Sequence, residues 1–265
     1  MADSDSGMLQ PWQAKRVDWR VFACLLAASV VGQIAVIPYA FTLLNVSARP
    51  MPVPLPVAVA IQIVWGTVLS AVVILLGLLM AARLGLGTPW LKVWLDGRFD
   101  RQRFARMTAF CALLGALGGA AVFVLDRYAF AIFVEPITPF QQTPPVWQRV
   151  LVSLYGGINE EVYLRLFLLT LVVWLWSKIR KHPAPTDLQM WTAIMLVSIV
   201  FGLGHLPMTA QFMPITPIVV IRAIVLNGVL GVLYSWLYWR QGLESAMIAH
   251  FSTDIILHVL LPSLA

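Results

Sequence analysis

Residues 146–176 read VWQRVLVSLYGGINEEVYLRLFLLTLVVWLW. The stretch is long enough for a helix to cross a hydrocarbon core about 30 Å thick, yet it encloses Glu160, Glu161 and Arg165. An ionisable side chain at the centre of such a helix costs on the order of 2.5–3.5 kcal/mol, so those that persist face the inside of a bundle and mark a site. Two other apolar stretches repeat the pattern. One holds His205, four residues after Phe201, and the other holds His250 and Asp254.

Composition agrees with a membrane chain. Of 265 residues, 60% are apolar and 11% charged, where a soluble domain carries roughly a quarter charged residues. Mean hydropathy is +0.84. The apolar runs lack the short alternating pattern of a membrane barrel, and a helix satisfies its own backbone hydrogen bonds as lipid demands. The expected fold is all-α: a polytopic transmembrane bundle of about seven spans plus one interfacial amphipathic helix. The spans are expected near Val21–Leu44, Val57–Arg83, Ala105–Phe130, Val146–Trp176, Leu188–Leu206, Pro217–Trp239 and Leu243–Leu261. The first is too long for a signal-peptide core and reads as an uncleaved anchor, with Pro38 expected to kink it. Residues 1–20 form a polar segment ahead of a single membrane domain, 21–265. Pro-rich connectors follow at Pro50–Pro56 and Glu135–Pro145. Within Thr88–Phe104, Trp90, Leu91, Trp94 and Leu95 recur at helical spacing among basic and acidic residues, the pattern of a helix lying on an anionic leaflet.

The net charge of +6 is distributed unevenly. With seven spans, Lys15, Arg16, Arg20, the cluster from Arg83 to Arg106, Lys178, Arg180, Lys181 and Arg240 share one side, while Arg49, Arg127, Arg149 and Arg222 take the other. The positive-inside rule then puts the N-terminus in the cytoplasm. Basic residues scattered over short loops form no nucleic-acid patch, so the expected partners are the bilayer and not DNA or RNA. Cys24 and Cys111 fall within spans and read as buried apolar residues.

Taken one turn at a time, the intramembrane polar groups have modest readings. Glu161 and Arg165, four apart, form an ion pair in the favourable order, and Arg165 can fork onto the carboxylate. Glu160 stands about 100° further round the helix, free for another partner. Phe201 can shield His205, although a lone buried histidine is more often a satisfied core residue. Asp254 can orient His250, or both can hold one metal ion. His258 continues that stripe toward the span end, Asn227 suggests a helix–helix hydrogen bond, and Gly156–Gly157 suggests close packing or a bend. Rise counts place Glu160 mid-membrane, His250 toward the basic side and His205 toward the opposite one. Together these groups are the ingredients of water activation: general bases and zinc-type ligands.

The three motifs, Glu160-Glu161-x-x-x-Arg165, Phe201-x-x-x-His205 and His250-x-x-x-Asp254, resemble in order those of the CAAX protease and bacteriocin-processing family, which includes Rce1-type prenyl-protein endopeptidases. The likeness runs from about Val146 to the C-terminus, making 146–265 the expected catalytic core. It implies a multi-pass intramembrane endopeptidase acting on a membrane-associated or lipidated polypeptide, in a bacterial plasma membrane. By resemblance, Glu160 and His205 activate water, His250 and Asp254 meet the oxyanion or share a metal, and Glu161 and Arg165 support them. Asparagine is the common alternative to Asp254 and can donate to an oxyanion, which an ionised aspartate cannot. That difference favours zinc on Glu160, His205, His250 and Asp254, with a metal-free mechanism as the rival. Two other classes stay open: a non-catalytic immunity or scaffold protein on the same fold, and a proton-coupled transporter, which the lack of internal repeats disfavours.

Overall fold

The computed structural model describes residues 17–46, 52–134, 144–180 and 184–264. Seven helices are long and apolar enough to cross a membrane, and they are numbered here as spans one to seven: Trp19–Leu43, Leu55–Leu84, Arg101–Phe133, Val146–Arg180, Asp187–Thr209, Pro217–Gln241 and Leu243–Leu260. No strand occurs among the described residues. The chain is an all-α polytopic bundle, as lipid requires of a backbone that must bond to itself. Lys15, Arg16, Arg49, Lys181 and the middle of the Pro-rich loop, 135–143, lie outside the described residues.

Local chemistry sets the span ends. The Asp18 side chain accepts from Arg20 N, Asp100 from Arg103 N and Thr216 from Val219 N. Thr186 and Gln189 form a reciprocal capping box ahead of span five. Such caps satisfy the orphan amides of a first turn. The Asp100 cap also corrects one expectation. The amphipathic stretch is not a single helix over Thr88–Phe104: the helix covers Pro89–Leu95 only, a turn at Gly97 breaks it, and Arg101–Phe104 already belongs to span three. Its Trp90, only 5% exposed, is turned into the bundle.

Within the membrane-length helices, polar groups fasten neighbours. Asn159 Nδ2 donates to Ser29 O across to span one (3.0 Å), and Gln33 Nε2 donates to Ser70 Oγ, which bonds Tyr163 Oη at 2.8 Å. Arg222 forks onto Asp126 with two bonds of 2.6 Å, joining spans six and three. Asn227 does not bridge helices as expected; its Nδ2 donates to Ala223 O one turn back in span six (3.0 Å). Gly115 meets the Ala249 backbone so closely that no side chain fits, the close approach that holds membrane helices together without a hydrophobic drive.

At the basic end, Lys92 Nζ pairs with Asp18 (2.8 Å) and Asp96 (2.9 Å), and Arg20 pairs with the same two carboxylates at 3.0 Å each. The bonds from Arg20 and Lys92 hold the Asp18 carboxyl well below the usual carboxylate range. A carboxyl depressed on folding stabilises the protein above its unfolded value, about 3.9, and loses that contribution as pH falls toward its folded one. Asp18→Asn is therefore expected to lower the thermal unfolding temperature in detergent at pH 7. The gap to wild type should shrink between pH 4 and pH 3.

Three spans depart from α geometry, span three only at its end, with a π turn over Asp126–Phe130 and a 3-10 turn over Ala131–Phe133. Span four is α over Val146–Tyr155, π over Gly156–Glu160 and again over Val162–Leu169, then α over Thr170–Arg180. Span seven turns π over Ile255–Leu260. A π turn hydrogen-bonds to the fifth residue and re-aims the side chains that follow, and it recurs at functional sites.

Candidate active site

Glu161 and Arg165 are both 0% exposed and joined by an Nη1–Oε1 bond of 2.8 Å. Arg165 does not fork onto the carboxylate with both arms, as the spacing suggested. Its Nη2 donates to Gly231 O (3.2 Å) and its Nε to Ser235 Oγ (3.4 Å), both on span six. Span six offers acceptors to the other arm, while Glu161 Oε1 also receives His250 Nδ1 at 2.7 Å and Oε2 has no partner among the described residues. The guanidinium plane lies 4.8 Å from the Phe201 ring centroid and 5.2 Å from that of Tyr234, a cation–π arrangement in a desolvated setting.

His250 is the centre of the cluster. A carboxylate held by Arg165 only accepts, so Nδ1 carries a proton toward Glu161 and the ring presents Nε2 on its far side. There Nε2 stands 3.8 Å from Glu160 Oε2 and 3.7 Å from Asp254 Oδ1. Tyr234, fully buried, stacks on the imidazole at 4.4 Å and 16°, which fixes the ring plane. Glu161, and not Asp254, therefore sets the His250 tautomer; Asp254 faces the opposite nitrogen.

Glu160 differs from its neighbour. Its side chain is 27% exposed against 0% for Glu161. His205 ends the regular helix of span five, and its Nδ1 bonds Phe201 O at 2.8 Å. A carbonyl only accepts, so Nδ1 is the protonated nitrogen and Nε2 the acceptor. The Phe201 ring lies 4.9 Å from His205 and 5.8 Å from His250, linking the two imidazoles.

Gly242, at φ +98°, turns the chain within one residue into span seven, and it and Leu243 are buried. His258 stands apart from these groups, with its ring 6.3 Å from Tyr39 and its carbonyl accepting from Arg149 Nη1 (3.1 Å).

Sequence reasoning missed two participants, and it read Gly156 only as a place for close packing or a bend. Tyr234 and Ser235 carry no signal beyond lying in an apolar span. Gly156 had one: it precedes Glu160 by four residues, on the same helical face. A Cβ on Gly156 would run into Asp254 Oδ2 and come within 3.2 Å of His250 Nε2. Gly156→Ala should keep the fold but displace Asp254. If the cluster performs catalysis, turnover should fall on the order of 100-fold, the cost of about 1 Å of misplacement, in a cleavage assay run beside thermal unfolding.

Zinc takes four ligands at about 2.0–2.3 Å. The expected set, Glu160, His205, His250 and Asp254, does not assemble in that way. Among the described residues, no group of three or more His, Cys, Asp and Glu side chains is placed to hold a metal ion. Nδ1 of each histidine is engaged by a protein acceptor, which leaves each Nε2 open, as in histidines that ligate metals. No step below runs through a metal.

The anticipated resemblance is borne out over the second half of the chain: residues 142–256 match the family model described as type II CAAX prenyl endopeptidase Rce1-like. All seven motif residues lie inside that match. Neither the curated proteins nor the solved structures provide a match.

Proposed function

Starting from an Rce1-like domain over residues 142–256, we propose that this multi-pass membrane protein is an intramembrane endopeptidase. It hydrolyses a peptide bond of a membrane-associated or lipidated polypeptide. The observation that carries the reading is the cluster around His250 Nε2, where two carboxylates from different spans converge within 3.8 Å. Glu160, the solvent-reachable carboxylate, takes the proton of the attacking water, with His205 Nε2 as a second acceptor, and returns it to the leaving amine nitrogen as the C–N bond breaks and the oxyanion collapses. His250, clamped through Nδ1 by Glu161 and pressed flat by Tyr234, offers Nε2 to the carbonyl oxygen. When doubly protonated it donates there as charge builds up. Asp254 holds that proton in place on the ring's reacting side. Arg165 pairs with the same Glu161 oxygen that receives His250 Nδ1, holding the clamp in place. The basic end of the bundle faces the cytoplasm.

The test uses purified protein in proteoliposomes with a fluorogenic peptide carried on a lipid or prenyl anchor. Wild type is expected to cleave it, and His205→Ala is expected to lose cleavage while its unfolding temperature holds. Undiminished cleavage by a Glu160→Ala/His205→Ala protein would sink the proposal. Metal analysis of the same preparations separates the zinc variant: one equivalent in wild type, lost in His250→Ala, would replace the metal-free route.

A further inference from the structure

The connection between spans two and three folds back on the start of span seven and encloses a second feature, which shares no lining residue with the His250 cluster. A cavity of about 330 Å³ is lined by Trp90, Leu91, Trp94, Phe99, Phe104 and Glu244. Its volume lies within the range of small-molecule sites. Four of the six residues are aromatic. The Trp90 and Phe104 rings meet edge-to-face at 5.5 Å, and Phe99 and Phe104 at 5.0 Å with a 52° tilt. Rings set at such angles present differently oriented π faces, and the negative face of a ring attracts cations.

Glu244 gives the cavity its sign. Its Oε1 accepts from Leu91 N at 2.7 Å, which ties span seven to the short helix. Its Oε2 is buried and has no hydrogen-bond partner among the described residues. Lys92 pairs with Asp18 and Asp96, and Arg98 with Asp96. The Glu244 carboxyl thus stands behind an aromatic wall with no ion pair among the described residues.

The accessible wall is apolar, and this selects among cations. A primary ammonium would surrender three hydrogen bonds to water and find no accessible acceptor on that apolar wall. A quaternary ammonium has no N–H to satisfy, and aromatic enclosures suit it. Trp90, Leu91, Trp94 and Phe99 lie between the end of span two at Leu84 and the start of span three at Arg101. They therefore sit where the chain leaves the hydrocarbon and lipid headgroups begin. Trp94, 56% exposed, forms the open side.

We propose that this cavity binds the trimethylammonium group of a choline-type lipid headgroup, with Trp94 and Phe99 as walls and Glu244 as the counter-charge. The site is independent of the proteolytic reading. The experiment uses the full chain in a maltoside detergent free of choline. Its tryptophan fluorescence is titrated with a short-chain phosphatidylcholine below its micelle concentration, with the matching phosphatidylethanolamine, and with choline chloride. Phosphatidylcholine should give a saturable change at least tenfold tighter than phosphatidylethanolamine. Phe99→Leu should weaken it at least tenfold, and so should Glu244→Gln. Trp94→Leu, at an exposed position that spares the fold, should do the same when read by competition with radiolabelled lipid. Equal response to both lipids, or wild-type binding by the Trp94 and Phe99 variants, would overturn the proposal. Saturation by choline chloride without any by phosphatidylcholine would overturn its lipid source.

Discussion

Glu160→Gln is expected to remove peptide cleavage, a fall on the order of 100- to 10,000-fold, the usual weight of a general base, while the unfolding temperature stays within a degree or two of wild type. The two halves of that expectation have separate causes. The amide has the size of the carboxylate but cannot take a proton at neutral pH. The fold is indifferent because Glu160 is partly solvated and meets His250 only at 3.8 Å. The same substitution one residue on should behave differently. Glu161→Gln leaves Arg165 buried without its counter-charge and His250 without an acceptor-only partner, so both stability and activity should drop. Activity from the Glu160→Gln protein at the wild-type level would show that another group activates the water.

Arg165→Met should have the largest effect on stability. The guanidinium is fully buried and fastens span four to span six through Gly231 O and Ser235 Oγ as well as neutralising Glu161. Removing one partner of a buried pair costs about 3–5 kcal/mol, because the other is left charged in a medium that cannot solvate it. Methionine fills much of the volume, so the loss is electrostatic and not a cavity. The double variant Arg165→Met/Glu161→Gln removes the stranded charge and should recover a large part of the stability without recovering cleavage. Chemical unfolding in mixed detergent micelles reads the first quantity and the proteoliposome assay the second. If the double variant were no more stable than Arg165→Met, the uncompensated carboxylate would not be the cause.

Much of this molecule was legible because the bilayer is an exacting solvent. Each predicted span lies within a few residues of an observed one, since runs of apolar residues bounded by Pro, Gly and basic residues leave few alternatives. The ion pair of Glu161 with Arg165 was legible too, because residues four apart share a helix face. The roles of the two adjacent glutamates were less so: spacing put Glu160 on a different face but could not say that Glu161 would take both Arg165 and His250. The extent of the amphipathic helix was misjudged for a related reason. Its period continues past Gly97 into Phe104, and only the Asp100 cap and the burial of Trp90 against Phe104 show that two helices share the stretch.

From the sequence alone come the solvent, the class of fold, the number of crossings and the short roll of polar side chains too expensive to be idle. Those follow from local quantities: hydropathy, spacing and charge. The tertiary structure decided which of those side chains meet. It did so through the π turns of span four, which have no sequence signature because they concern only which carbonyl each amide reaches. It did so also through the buried turn at Gly242, the stack of Tyr234 on His250, and the space left by the missing side chain of Gly156. Contacts between residues 89 positions apart, such as Glu161 with His250, depend on how whole helices pack, and no window along the chain contains that information.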